Sequence, residues 1–158
     1  MGEGIVPKIF GADISENLIE AACKIMLRTA VPEGTWHLSV ADAQALKFPG
    51  EMFNEIWICG ALHQIPIPEK TIDEIARLLL PGGLMFCQTF LEARTILGKR
   101  FQLKVAKSGF DFMNREMLDK KLKEKGLTQC GWTESGMTGL FVYRKNAPAF
   151  EPSDRSTS

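Results

Sequence analysis

Apolar positions along the chain change period several times, and each change marks an element. Lys8-Ile9-Phe10-Gly11-Ala12 is a short apolar run closed by Asp13, the pattern of a buried strand. Ser15 follows as an N-cap, with Glu16 in the first turn, where the helix dipole favours an acid. Leu18, Ile19, Ala22, Cys23, Met26 and Leu27 then recur at helical spacing and predict an amphipathic helix to about Arg28. Pro32-Glu33-Gly34 breaks it. Trp36 to Ala41 predicts a second strand, again closed by an acid, Asp42. A polar turn through Phe48-Pro49-Gly50 leads to Glu55-Ile56-Trp57-Ile58-Cys59, a third strand.

The second half continues the alternation. Pro66 and Pro68 precede a helix with Ile72, Ile75, Ala76, Leu79 and Leu80 on one face, and Pro81-Gly82-Gly83 predicts its end. Leu84 to Phe90 is a fourth strand, rich in β-formers. Leu91 to Lys107 reads as helical and half exposed, and Asn114 to Lys125 as a helix with Gly126 at its C-terminal end. Leu127–Trp132 and Gly139–Arg144 predict a terminal strand pair. Strands alternating with helices predict an α/β fold with a mostly parallel sheet, as one domain over 1–145. The Pro/Ser-rich 146–158 is expected to be a disordered tail.

Composition narrows the function classes. The 158 residues carry 19 Lys+Arg and 19 Asp+Glu, a balance that argues against a surface made mainly for nucleic acid or anionic lipid. The four cysteines, at 23, 59, 87 and 130, form no C-x-x-C pair, which removes zinc-ribbon, thioredoxin and disulfide-framework readings. They read as free, mostly buried thiols in a reducing compartment. With only His37 and His63, a multi-histidine metal site is excluded and no metal is expected. Neither a signal peptide nor a membrane span is expected, because the longest apolar run, Ala76 to Leu84, is interrupted by Arg77 and Pro81-Gly82-Gly83. A cytoplasmic protein follows from these expectations. Trp36, Trp57, Phe86 and Phe90 read as core. Phe101, Phe110, Phe112 and Met113 fit either ordinary packing or a substrate lid. Lys120-Lys121-Lys123-Lys125 reads as a solvated helix face.

Open α/β sheets bind ligands beyond the carboxyl ends of their strands. Those ends here carry Asp13, Asp42 and Gly60-Ala61-Leu62-His63. A carboxylate closing a strand can accept from two vicinal ribose hydroxyls at once, and a second can accept from an exocyclic amine. In this order the segments resemble class I S-adenosylmethionine-dependent methyltransferases, especially the ubiquinone/menaquinone type. Ile9 to Leu18 resembles their second-strand motif, and Ala41 to Pro49 their "D-A-x-x-L-P-F" segment. Phe53 to Trp57 resembles "F-D-x-V", and Leu62-His63 the "L-H-H" that follows the fourth strand. Glu74 to Gly83 is similar to "E-x-x-R-V-L-K-P-G-G".

The resemblance implies a three-layer Rossmann-like sandwich and a role for each matching residue. Asp13 would hold the ribose hydroxyls, with Ile14 and Leu18 lining the adenine pocket. Asp42 would meet the adenine amine, and Ala43 would offer a backbone amide. Gly60 and Leu62 would pass near the cofactor, and His63, on the substrate side, would be the general base. A loop histidine inherited from the fold is the plainer reading of His63, and a surface position that of His37. The family's first strand, its helix and the glycine-rich loop that cradles the methionine half have no counterpart; Gly2-Glu3-Gly4 reads as a flexible start. Weak or lost S-adenosylmethionine binding is therefore expected. Open strand edges predict a homodimer or a methyltransferase-like partner. Three functions fit: a methyltransferase acting on a hydrophobic metabolite, a repurposed cofactor-independent cyclase, isomerase or pericyclase, or a non-catalytic partner subunit.

Overall fold

A computed structural model describes residues 8–29, 31–107 and 112–147; the expectations for Gly2-Glu3-Gly4, Phe110 and residues 148–158 lie outside them. The chain divides into two compact units, Met1–Lys47 and Phe48–Ser158.

The first unit is a βαβ turn. Strands β1 (Ile9–Asp13) and β2 (Trp36–Val40) pair in parallel, in register from Ile9↔Trp36 to Asp13↔Val40, with helix α1 (Glu16–Arg28) between them in sequence. Ser15 caps α1 as expected, its side chain accepting from the Leu18 N–H at 3.4 Å. At the other end the Thr29 hydroxyl donates to the Ile25 and Met26 carbonyls at 2.9 and 3.2 Å. The apolar stripe is narrower than its spacing suggests. Ile19, Ala22, Cys23 and Met26 are half-buried, whereas Leu18 and Leu27 point outward, and no residue of α1 is fully buried.

The second unit is built on a four-stranded sheet ordered β3-β4-β6-β5. Its elements are β3 (Phe53–Cys59), α2 (Pro68–Leu78), β4 (Leu79–Phe90), α3 (Ile96–Ala106), α4 (Arg115–Glu124), β5 (Leu127–Ser135) and β6 (Thr138–Lys145). β3 and β4 run parallel; β6 lies antiparallel to both β4 and β5. Among the described residues no helix is long and apolar enough to cross a membrane.

One boundary differs from the expectation. α2 ends at Leu78, so Leu79 and Leu80 belong to β4, and Pro81-Gly82-Gly83 lies inside that strand rather than stopping the helix. The β3–β4 register moves from Phe53↔Leu79 to Glu55↔Leu84, and this irregularity absorbs the extra residues. Proline, which has no N–H for a ladder, is tolerated in such a segment. Gly82 supplies a positive φ of 81°, and a Cβ on Gly83 would stand 2.9 Å from the Leu80 carbonyl and 3.0 Å from that of Asn54.

The core lies on one face of this sheet. Ile58, Met85, Phe141 and Tyr143 from the strands meet Ile72 and Ile75 of α2 and Leu118 and Leu122 of α4. The buried Tyr143 hydroxyl donates to Asp119 Oδ1 at 3.0 Å. Burial, reinforced by that carboxylate, pushes its pKa well above the usual tyrosine value. The Lys120–Lys125 run is solvated at Lys120, Lys123 and Lys125, but it also ties α4 to α2. Lys121 pairs with Glu69, and Lys125 with Asp73 at 2.7 Å.

The opposite face corrects the expectation of aromatic core. Trp57 is 64% exposed and Trp132 45%, with Phe86 half-buried against Trp57 at a ring separation of 4.1 Å. Strand alternation sends these side chains away from α2 and α4, into a shallow apolar groove of about 380 Å³. Phe90 and Trp36 are likewise only half-buried. The thiols follow the same division. All four are free, but only Cys87 is buried, while Cys59 and Cys130 are exposed. Burial, with the neighbouring Cys59 adding to it, pushes Cys87 up to about 12.

Candidate functional site

In the first unit the two expected acids stand at neighbouring strand ends. The Ala41 N–H donates to the Asp13 carbonyl at 2.9 Å, which brings the chain leaving β2 beside the last residue of β1. Asp13 is half-buried, and its Oδ1 accepts from the Ser15 N–H at 2.8 Å; no described residue donates to Oδ2. One carboxylate thus shapes the turn into α1 through Oδ1 and keeps the acceptor capacity of Oδ2. Ile14 and Leu18, which follow it in the chain, are 75% and 58% exposed. Asp42 is exposed and already engaged. Its Oδ1 accepts from the Gln44 N–H at 2.9 Å, and the Gln44 amide donates to Oδ1 and Oδ2 at 3.1 and 3.2 Å. Ala43, half-buried, sits between them in that turn. His37 lies on β2, exposed, with its ring 6.1 Å from that of Phe10.

In the second unit Gly60, Leu62 and His63 follow β3. Gly60 has φ 69°, a conformation glycine adopts without strain, and its N–H donates to the Gln88 carbonyl at 2.9 Å. A single 3-10 turn, Leu62–Gln64, then folds back. The Leu62 side chain is fully buried in the core cluster, so only its backbone can border a ligand.

His63 is 2% exposed. Its ring meets Phe90 edge-on at 4.8 Å, and its Nδ1 lies 3.3 Å from the Thr89 hydroxyl. The Gln64 amide nitrogen donates to the Gly60 carbonyl at 3.0 Å and approaches His63 Nε2 at 3.4 Å. Each ring nitrogen thus has a polar neighbour, and the direction of both contacts follows the tautomer of His63. Gln64 itself is exposed.

A cavity of about 540 Å³ opens beyond the end of β4, lined by Leu91–Thr95, the start of α3, the start of α4 and the β5–β6 turn. Glu134 bridges Arg94 at 3.0 Å and Arg115 at 3.8 Å. The Arg115 guanidinium also lies 3.5 Å from the centre of the Trp132 ring. On the far wall Asn114 donates to Glu92 at 2.8 Å. Gln102, buried behind the lining, ties α3 to the chain after β4 by accepting from the Ala93 N–H and donating to the Leu91 carbonyl, both at 2.7 Å. Apart from Asn114, the N-cap of α4, these residues belong to no local motif, and Arg94 and Glu134 are forty positions apart, so sequence spacing gives no sign of the cavity. Met113, a lid candidate, packs against the core instead, while Phe101 is exposed and Phe112 half-buried. Among the described residues no group of His, Cys, Asp and Glu side chains is arranged to hold a metal ion.

Comparison with known proteins places this arrangement. A methyltransferase domain family matches residues 3–87, more than half of the chain, and the chain belongs to that family. The methyltransferase GfsG of Streptomyces halstedii is 32% identical over 73 residues, 46% of this chain and 26% of that protein. The demethylmenaquinone methyltransferase of Leptospira interrogans is 36% identical over 73 residues, 46% of this chain and 29% of that one. The chain thus spans less than a third of the length of these curated relatives. Among solved structures, the [4+2]-cyclase SpnF superposes with a TM-score of 0.76 at 18% identity, over 90% of this chain and 67% of that one. The fold is the Rossmann-like α/β fold of class I methyltransferases.

Proposed function

We propose that the chain is a methyltransferase-like enzyme that recognises the adenosine part of S-adenosylmethionine in its first unit and acts on a hydrophobic small molecule. The observation that carries this reading is Asp13, a strand-end carboxylate with an oxygen that no described residue occupies, set beside the exposed Ile14 and Leu18. A carboxylate that can accept two hydroxyls next to a flat apolar surface fits a ribose carrying a purine. Ala43 offers its backbone at the neighbouring strand end, and Asp42 can meet an amine once Gln44 yields. When bound, S-adenosylmethionine supplies an activated methyl group. The chain's own part is to align a nucleophile and exclude water. His63 takes the proton where one must leave, and Gln64 has to swing off Nε2 first. Relatives named for demethylmenaquinone methylation support a small-molecule substrate. Calorimetric titration of the full chain with S-adenosylhomocysteine tests the reading. Saturable binding that Asp13→Ala weakens by about 1–3 kcal/mol is expected; no heat and no thermal shift at any attainable ligand concentration contradicts it.

A second reading is a cofactor-independent cyclase, isomerase or pericyclase, favoured by the likeness of fold to SpnF, itself named a cyclase. It needs only a shaped cavity with a few polar groups, as beyond β4. Under it Asp13→Ala leaves turnover unchanged, while Arg115→Ala reduces it. A partner-subunit role rests on β1 and β3, each paired on one side only among the described residues, and is tested by light scattering against the 17.6 kDa monomer mass.

A further inference from the structure

Helix α3 is turned the wrong way round for a helix of a water-soluble protein. Its one fully buried residue is the polar Gln102, whereas Ile96 and Leu97 are each 80% exposed, Leu103 69% and Phe101 53%. The orientation is fixed rather than frayed. The Gln102 amide is bonded at both ends to the backbone after β4 and touches Met137 Sδ at 3.3 Å. Thr95 caps the helix by accepting from the Gly98 N–H at 3.1 Å, and a Cβ on Gly98 would stand 2.7 Å from that of Ala93. The row spaced for contact is therefore Gly98, Gln102 and Val105, while Ile96, Arg100, Leu103 and Lys107 share the row opposite.

That outer surface is also basic without exception. From Thr95 to Lys107 the chain carries Lys99, Arg100, Lys104 and Lys107 and no acid, and all four cations are exposed. None of them is ion-paired with a described residue. The chain-wide balance of charge conceals this local excess. A surface that interleaves aliphatic side chains with lysine and arginine suits the boundary of an anionic bilayer. There the apolar groups enter the acyl region and the long cationic stems reach back to lipid phosphates.

We propose that the exposed face of α3 is a docking surface for anionic lipid membranes, along which the helix lies in the plane of the headgroups. The length suits this role: eleven residues span about 16 Å, too short to cross a bilayer and long enough to lie on one. The surface uses no residue of the strand-end sites, and Leu97, Arg100, Leu103 and Lys104 do not line the cavity beyond β4 either.

Flotation of the full chain with phosphatidylcholine vesicles, with and without phosphatidylserine, tests this. Binding should require phosphatidylserine and fall as salt rises. Because each cation near the surface contributes roughly fivefold in affinity, R100E/K104E should weaken binding by about 25-fold or more. L97S/L103S should abolish insertion. All four positions are exposed, so unchanged thermal melts will show that both variants remain folded. Equal binding to phosphatidylcholine alone, or no binding at low salt, overturns the proposal. So does a concentration-dependent dimer, without vesicles, that the same substitutions dissolve, since that assigns the face to a second copy.

Discussion

The two units of the chain divide buried core and exposed strand-end groups unevenly. Among the described residues every buried apolar side chain lies in the second unit, from Ile58 to Tyr143. The first unit has no fully buried residue among those described, and its helix exposes Leu18, Ile25 and Leu27. Yet the first unit holds the strand-end acids, an open carboxylate oxygen and an apolar rim, whereas the matching loop of the second unit has turned inward. Leu62 has gone to the core and His63 is 2% exposed. A strand-end side chain that the local fold needs for packing is not exposed to meet a ligand. In the thin βαβ unit Asp13 and Asp42 stay at the surface and bond to their own turns, whereas Leu62 and His63 of the thick unit are buried.

Core substitutions should divide the two most sharply. Leu122→Ala, at 0% exposure, should cost about 2–5 kcal/mol by denaturant unfolding, because the cavity cannot fully collapse. Leu27→Ala, 62% exposed in α1, should stay within about 0.5 kcal/mol. Equal losses at both sites would break the comparison. Asp13→Ala should reverse the order of effects: about 1–3 kcal/mol lost from adenosine binding, with the unfolding of the second unit unmoved.

Alkaline pH sharpens the contrast further. Cys87 is raised from 9.0 to about 12 in the folded chain, so above pH 9 the unfolded thiol loses its proton while the folded one keeps it. Fewer protons are then bound by the unfolded state, and stability falls as pH rises, by up to about 1.4 kcal/mol per unit from this group. Cys87→Ala should flatten that slope between pH 9 and 11, and the exposed Cys59 should react with a thiol reagent long before Cys87. The smallest effect belongs to the surface. Lys125→Ala, which removes the 2.7 Å pair with Asp73, should change stability by less than about 1 kcal/mol.

Elements whose limits are set by local chemistry could be read from the sequence. Ser15, Asn114 and Gly126 mark helix ends because capping and positive φ are properties of single residues. The Glu74/Arg77 pair of the family motif also has a local cause: both guanidinium contacts to Glu74 are 2.8 Å, and a third N–H holds the Phe48 carbonyl. Leu78-Leu79-Leu80 defeated the same reasoning, since helix and buried strand are equally apolar there and no polar residue marks the change. Alternation shows that Trp57 and Ile58 face opposite ways but not which side α2 and α4 cover. The cavity beyond β4 was invisible for a third reason. Arg94, Arg115 and Glu134 meet only after the β5–β6 hairpin folds, and their spacing in sequence carries no period.

The most direct test is amide shift mapping by two-dimensional NMR during titration with S-adenosylhomocysteine. Recognition by the first unit predicts concerted shifts at Asp13, Ile14, Leu18 and Ala43 that vanish in Asp13→Ala. Saturation that leaves these four amides unmoved, or that shifts only residues around Arg94 and Arg115, would contradict it.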